Sequence, residues 1–252
     1  MTSQDSSSGR AGENPGPARG ASAIIPGESP GKIQVEVRHP ERGPIARFVK
    51  RCVEAAATSL VSPRLIAYFL VRAARGDRAM LGASESLARI PGMRGVYLRA
   101  AFYRHTLAHF GRDVSVGWGS TFSMRQARVG EGTYIGRHCG IGFGDLGAHV
   151  MLADGVQVLS GGREHGLSPN DSETHQDQVQ RYTRVKIGDG AWLGTNSVVM
   201  ADVGTNAVIG AGAVVTRPVP DDVIAVGAPA RIVKRLSRSP GTGTGGEDGT
   251  SR

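Results

Sequence analysis

VKIGDGAWLGTNSVVMADVGTNAVIGAGAVVTRPVPDDVIAVGAPARIVKR, residues 185–235, decides the fold. Its aliphatic residues recur in steps of six: Ile187, Leu193 and Val199, then Val203, Ile209 and Val215. The step from Val199 to Val203 is a tetrad where a hexad is expected. A small residue follows the leading aliphatic at Gly188, Gly194, Gly204 and Gly210. A period of six suits neither an α-helix, near 3.6, nor a lone strand, at 2. It marks a repeat, each hexad being one short strand and a corner, with glycine where a side chain would obstruct the bend. One hexad cannot bury its aliphatic alone, so the hexads must stack into a parallel β-helix with a continuous core. A Gly/Val-rich loop would leave the spacing unexplained.

Upstream, Val129, Ile135 and Ile141 keep the step of six, and Leu146, Leu152 and Val158 resume it one residue out of register. That slip predicts a short corner or bulge around residues 145–147. The repeat begins near Val114, lapses over residues 160–184 and closes around Ile232. The lapse, SGGREHGLSPNDSETHQDQVQRYTR, is polar and turn-forming. Loops of that length inside a compact repeat are usually functional.

Residues 45–113 read as helical. Ile45, Phe48, Val49, Cys52, Val53, Ala56 and Leu60 follow i, i+3, i+4, i+7 spacing and are expected to face a core. Ser62-Pro63 predicts an N-cap and first-turn proline opening a second helix, which Gly76 ends. A third helix is predicted over 94–110, with Tyr97, Leu98, Ala101, Phe102, Leu107 and Phe110 on its apolar face, stopping at Gly111. The chain therefore divides into a disordered tail (1–44), a basic α-helical segment (45–113), the β-helix domain with its loop (114–235) and a second disordered tail (236–252). The fold class is mainly β, with an N-terminal α-helical segment.

The formal net charge is +8. Residues 45–113 hold twelve basic residues against four acidic ones, while the flanking regions balance. Such a basic face either meets an anionic neighbour, of which an acidic membrane surface is one, or is an ordinary solvated helix surface. Arg99, Phe102, Tyr103 and Arg104 interleave as headgroup-binding residues would, or as side chains snorkelling over a helix core. Cys52 and Cys139 stand far apart with no CxxC spacing, which disfavours a disulfide framework and suggests a reducing compartment. No basic-then-apolar leader opens the chain, and the longest apolar run, 65–71, is far short of the roughly 20 residues that span a bilayer. A cytoplasmic protein, peripheral at the inner membrane face, is the expectation.

The order QVLSGGREHGL, polar loop, IGDGAWLGTNSVV, VIGAGAVVTRPVP, VGAPARIVKR resembles the hexapeptide-repeat acyltransferases, in particular the maltose/galactoside O-acetyltransferase branch. The resemblance covers roughly residues 114–235. It implies a left-handed β-helix, a homotrimer, acetyl-CoA as donor and no metal. It places the general base at His165. A neutral imidazole can accept a sugar hydroxyl's proton as the oxygen attacks a thioester, then protonate the departing thiolate. On the donor, the resemblance implies Trp192 beside the reacting centre, Thr195 and Ala211 along the pantetheine arm, then Thr216 and Arg217, with Arg231 and Lys234 near the phosphates. Acceptor contacts fall to His175 and to Asp145, the latter because the branch's asparagine is absent from GIGFGDLGAHV.

The expected function is acetyl transfer to a hydroxyl of a saccharide, free or carried by a lipid in envelope polysaccharide synthesis, with no nucleic-acid partner. Two other classes stay open. His138, His149 and His165 could supply three imidazoles to zinc, as in γ-type carbonic anhydrases, although their intervals do not match that pattern. A non-catalytic β-helix docking through its basic helices is the third.

Overall fold

From His109 onward the chain lays one short strand on each of three sheets in turn, which is the geometric content of the six-residue step. The computed structural model describes residues 43–161 and 182–236. The first coil is β1 (His109–Phe110), β2 (Ser115–Val116) and β3 (Thr121–Phe122); the second is β4 (Arg128–Val129), β5 (Tyr134–Ile135) and β6 (Gly140–Ile141). The third is β7 (Gly144–Leu146), β8 (Met151–Leu152) and β9 (Gln157–Val158), and the fourth β10 (Val185–Ile187), β11 (Trp192–Leu193) and β12 (Val198–Val199). The stack continues with β13 (Val208–Ile209), β14 (Val214–Val215) and β15 (Val223–Val226), and β16 (Arg231–Arg235) closes it. The sheets are β1-β4-β7-β10, the β2-to-β16 sheet, and β3-β6-β9-β12-β14. Every pairing is parallel except β15 with β16. This is the expected parallel β-helix. Val116, Ile135, Leu152, Leu193 and Ile209 stack as one buried column of the second sheet.

Two edges of the prism are regular and the third is not. Between the first and second sheets, and between the second and third, inward residues stand six apart, as at Val129, Ile135 and Ile141. On the return to the first sheet, Phe122 to Val129 is seven residues, Ile141 to Leu146 five, and Val199 to Val203 four. The tetrad is thus a short return corner, with Val203 bridging to Ile187. The register slip is the two-residue corner 142–143, just before the place expected.

Both regular edges carry a left-handed residue in each corner. On the first edge these are Asp113, Gly132, His149, Gly190, Asn206 and Asp222; on the second, Gly119, His138, Gly155, Asn196 and Gly212. Only Gly, Asn, Asp and His appear there, the residues that tolerate positive φ. His138 and His149 are therefore corner residues. Gly188 and Gly194 serve a different end: a Cβ there would stand 2.4 Å from the Thr205 nitrogen and 2.5 Å from the Ala211 nitrogen of the next coil.

Ahead of the coils lie α1 (Pro44–Arg75), a 3-10 turn (Gly76–Arg78), α2 (Ala79–Ala88) and α3 (Gly92–Thr106). Four expectations change here. First, α1 is one helix, with Pro63 inside it. Proline cannot donate to the Ser59 carbonyl, and the Ser62 hydroxyl, expected to cap a new helix, donates to that carbonyl instead at 2.8 Å. Gly76 ends α1 as expected, at φ +64°. Second, the face from Ile45 to Leu60 points outward; α1 buries Ala57, Val61 and Tyr68. Two apolar stripes share the helix, and the Tyr68 ring packs edge-on against Phe102 at 5.4 Å, which selects the inner one. Third, α2 is a helix that the serine- and glycine-bearing sequence did not suggest. Fourth, Phe110 belongs to β1, so the coils start before Val114; its ring still packs 6.1 Å from Tyr103.

The buried ends of these helices form a polar joint. Arg99 is fully buried, so it serves no headgroup; its Nε donates to the Val116 carbonyl at 3.0 Å and its Nη1 to Leu87 and Ile90 at 3.1 and 2.8 Å. Phe102 and Tyr103 are buried with it. The Ser84 hydroxyl lies 2.7 Å from the Tyr103 hydroxyl and accepts the Phe122 N–H at 2.8 Å, tying α2, α3 and β3 together. Burial pushes the Tyr103 phenol up to about 12, against the bond from Ser84.

Candidate active site

The irregular edge carries the long loop. Residues 162–181 lie outside the described residues, and with them His165 and His175. The ends of the loop are described. The Thr183 N–H donates to the Ser160 carbonyl at 2.7 Å, so the chain leaves and re-enters the coil at one point. Ser160 is buried, and its hydroxyl accepts the Phe143 N–H at 3.0 Å. A Cβ on Gly142 would stand 2.4 Å from that hydroxyl, and one on Gly161 (φ +95°) would stand 2.8 Å from the Thr183 Cβ. Small residues let the pinch close.

Beside the pinch, on the outer face of the third sheet, opens a cleft of about 450 Å³ lined by Thr121, Ser123, Gln157, Ser160, Tyr182 and Arg78, among others. Gln157 Nε2 donates to the His138 and Gly155 carbonyls at 3.2 Å each, while its Oε1 lies over Gly140, where a Cβ would come within 2.3 Å. Hydroxyls and an amide stand over a glycine floor beside Leu81, Met124 and Leu159, a mixed lining that suits the polar edge and apolar face of a sugar ring. Sequence reasoning missed Ser160, Gln157 and Tyr182. The readable signal was positional: Ser160 is where the coil leaves the repeat, and Tyr182 where it returns.

Asp145 is not among the residues lining the cleft. Its Oδ2 lies 3.5 Å from Arg184 Nη1, and that guanidinium stacks 4.4 Å over the Phe143 ring. Trp192 projects outward from β11, half exposed, between Met151 and Val208 of the neighbouring strands; with Tyr134 the three large side chains form a ladder up the second sheet. Thr195 and Ala211 stack on the second edge, where the Gly212 N–H donates to the Thr195 carbonyl at 2.8 Å. The Ala228–Pro229 bond at the following corner is cis, and the chain then reverses into β16, which carries Arg231 and Lys234, both exposed. Thr216 and Arg217 stand apart on the irregular edge, exposed. One chain thus gathers Trp192, Thr195, Ala211, Arg231 and Lys234 along the second sheet and its edge.

His138 and His149 occupy different edges of the prism, and among the described residues no group of three His, Cys, Asp or Glu side chains gathers to hold a metal. No described helix is long and apolar enough to cross a membrane.

Residues 184–217 match the family model described as bacterial transferase hexapeptide (six repeats). The chain carries hexapeptide repeats. Over 96 residues it is 33% identical to the galactoside O-acetyltransferase of Lactococcus lactis, a match covering 37% of this chain and 44% of that protein. The galactoside O-acetyltransferase of Escherichia coli is 30% identical over 94 residues, covering 36% and 44%. The hexapeptide-repeat chain thus spans less than half the length of the curated relatives it matches. Among solved structures, a maltose O-acetyltransferase from Clostridium difficile aligns with a TM-score of 0.56 at 25% identity, over 64% of this chain and 87% of that one. A hexapeptide-repeat acetyltransferase from Vibrio cholerae, solved with acetyl coenzyme A, shares the fold at 24% identity and a TM-score of 0.54, over 64% and 88%.

Proposed function

We propose that this hexapeptide-repeat chain transfers an acetyl group from acetyl-CoA to a hydroxyl of a saccharide, free or lipid-linked. The observation that carries the reading is the pinched loop at the mouth of a hydroxyl-lined cleft, on coils similar to those of galactoside and maltose O-acetyltransferases. His165 follows Gly161 by four residues in the chain.

In this reading the acceptor hydroxyl lies in the cleft. The His165 imidazole removes its proton as the oxygen attacks the thioester carbonyl. The tetrahedral intermediate collapses, the C–S bond breaks, and the imidazolium returns the proton to the thiolate. No acyl-enzyme forms. The donor's phosphates meet Arg231 and Lys234 through charge-assisted bonds, and its pantetheine arm runs past Ala211 and Thr195. The exposed ladder of Tyr134, Met151 and Trp192 is a seam for a second copy, which supports a homotrimer whose site lies between subunits. His175 stands as an acceptor contact, with Thr216 and Arg217 on the donor side; Asp145, paired with Arg184 outside the cleft, drops out of the acceptor site.

The test is a pair of measurements. Coenzyme A should raise the melting temperature of both wild type and His165→Ala, while His165→Ala loses about 10²–10⁴-fold in acetyl transfer to oligosaccharide acceptors. Unchanged turnover in His165→Ala removes the general base, and the absence of any coenzyme A effect on wild type removes the enzyme.

A further inference from the structure

The outward face of α1 is the largest feature that acetyl transfer does not use. At 100° per residue, Ile45, Val49, Val53, Leu60, Leu70 and Val71 fall on one side of the helix with no charged residue between them. Phe48 and Ile66 border this stripe. All are exposed, with Phe48, Leu60 and Leu70 at 68%, 67% and 68%. At 1.5 Å per residue the stripe from Ile45 to Val71 is about 39 Å long.

Charge tells what covers it. Arg51 lies along one flank, and Arg64 and Arg75 along the other, with Arg78 just beyond the helix end; none has an ion-pair partner among the described residues. The segment's acidic residues are largely engaged. Glu54 and Asp113 both meet Lys50, and Asp77 receives Arg125 and Arg72. A second copy laid stripe to stripe would set arginine against arginine, with almost no carboxylate left to compensate. An anionic surface meets no such conflict.

A groove of about 860 Å³ between α1 and α2 adjoins the stripe, with Val71, Leu87 and Phe102 in its apolar lining and Arg64, Arg75 and Arg78 as its cations. Tyr68 also lines it, 96% buried by its 4% exposure, and its hydroxyl has no hydrogen-bond partner among the described residues. An apolar chain under a phosphate would satisfy all three features at once. We propose that α1 lies in the headgroup layer of an anionic bilayer, apolar stripe inward, with one anionic phospholipid seated in the α1–α2 groove beneath Arg64, Arg75 and Arg78. This docking surface does not rest on the acetyl-transfer reading, which the coenzyme A melting shift reports separately.

Flotation of the full chain with phosphatidylcholine vesicles, with and without a third of phosphatidylglycerol, tests it. Wild type should float with the anionic vesicles and release at high salt. Arg64→Gln/Arg75→Gln/Arg78→Gln should weaken that binding about a hundredfold. Leu60→Glu/Leu70→Glu, both on exposed positions, should abolish it while keeping the wild-type circular dichroism and coenzyme A response. Wild type that ignores anionic vesicles overturns the proposal. So does a Glu variant that still floats, or one whose only change is a smaller mass on a sizing column, which would make the stripe an interface between copies.

Discussion

The coils and the helical segment solve the burial problem in opposite ways. Inside the prism the layers repeat: an inward apolar side chain at each six-residue step along a coil, glycine where coils touch, and a left-handed residue at each regular corner. The core between helices and coils repeats nothing. It is held by a buried cation on three carbonyls and by one serine shared between a phenol and a strand amide. The first arrangement can be extended or cut by whole coils, while the second depends on single side chains. The long loop follows the same division, since it leaves from the one edge where the repeat is not enforced.

The sharpest way to break the comparison is Arg99. Arg99→Ala would leave the Val116, Leu87 and Ile90 carbonyls buried without this donor. It should cost about 3–5 kcal/mol in urea unfolding, at roughly 1–3 kcal/mol per orphaned group with partial relaxation. Arg99→Lys should recover little, because one ammonium cannot span a fork that reaches three carbonyls on two elements. A cost below 1 kcal/mol would mean the joint is not what holds the helices to the coils. On the repetitive side, Gly194→Ala should cost about 1–3 kcal/mol, because its Cβ would stand 2.5 Å from the Ala211 nitrogen and force adjacent coils apart. The same substitution at Gly82, where a Cβ would meet nothing within 4 Å, should instead stabilise α2 by up to about 1 kcal/mol. Equal effects at the two glycines would erase the distinction between stacking glycine and incidental glycine.

How far the sequence could be read follows this division. Ile187, Leu193 and Val199 announce the coils because a period of six admits no other regular structure. The pinched loop at Ser160 and Thr183 was visible as a lapse in that period. The helical segment was legible as helix but not in its facing, because α1 carries two apolar stripes and spacing cannot rank them. Ser62-Pro63 misled because a proline at N1 and a proline whose missing bond is supplied by the preceding serine read alike in sequence. Arg99 was invisible as a core residue, since its partners are backbone carbonyls, which leave no mark on composition. Of the site, Trp192, Thr195 and Ala211 were placed by resemblance and do share one side of the prism, whereas Asp145 is engaged by Arg184. Of the cleft residues, Gln157 escaped notice because it looks outward from an ordinary hexad position, and Ser160 because the lapse of the repeat there marks a loop and not a buried hydroxyl.

The smallest expected effect probes the outer margin of the joint, where Asp77 clamps the end of the helices to the irregular edge. Partial burial pushes its carboxyl up, but bonds from Gln126 at 2.7 Å, Arg125 at 2.9 Å and Arg72 at 3.5 Å outweigh this and hold it below the usual carboxylate range. A carboxyl whose folded value is depressed contributes stability above its unfolded value of about 3.9, and that contribution is lost as pH falls through the folded value. Wild type should therefore lose slightly more stability than Asp77→Asn between pH 6 and pH 3. The cluster is solvent-exposed, so the difference should stay within about 1 kcal/mol and shrink in high salt. Parallel acid profiles for the two proteins would mean that the helical segment is held by its buried polar joint alone, which would set its dependence on single side chains still further from the shared load of the coils.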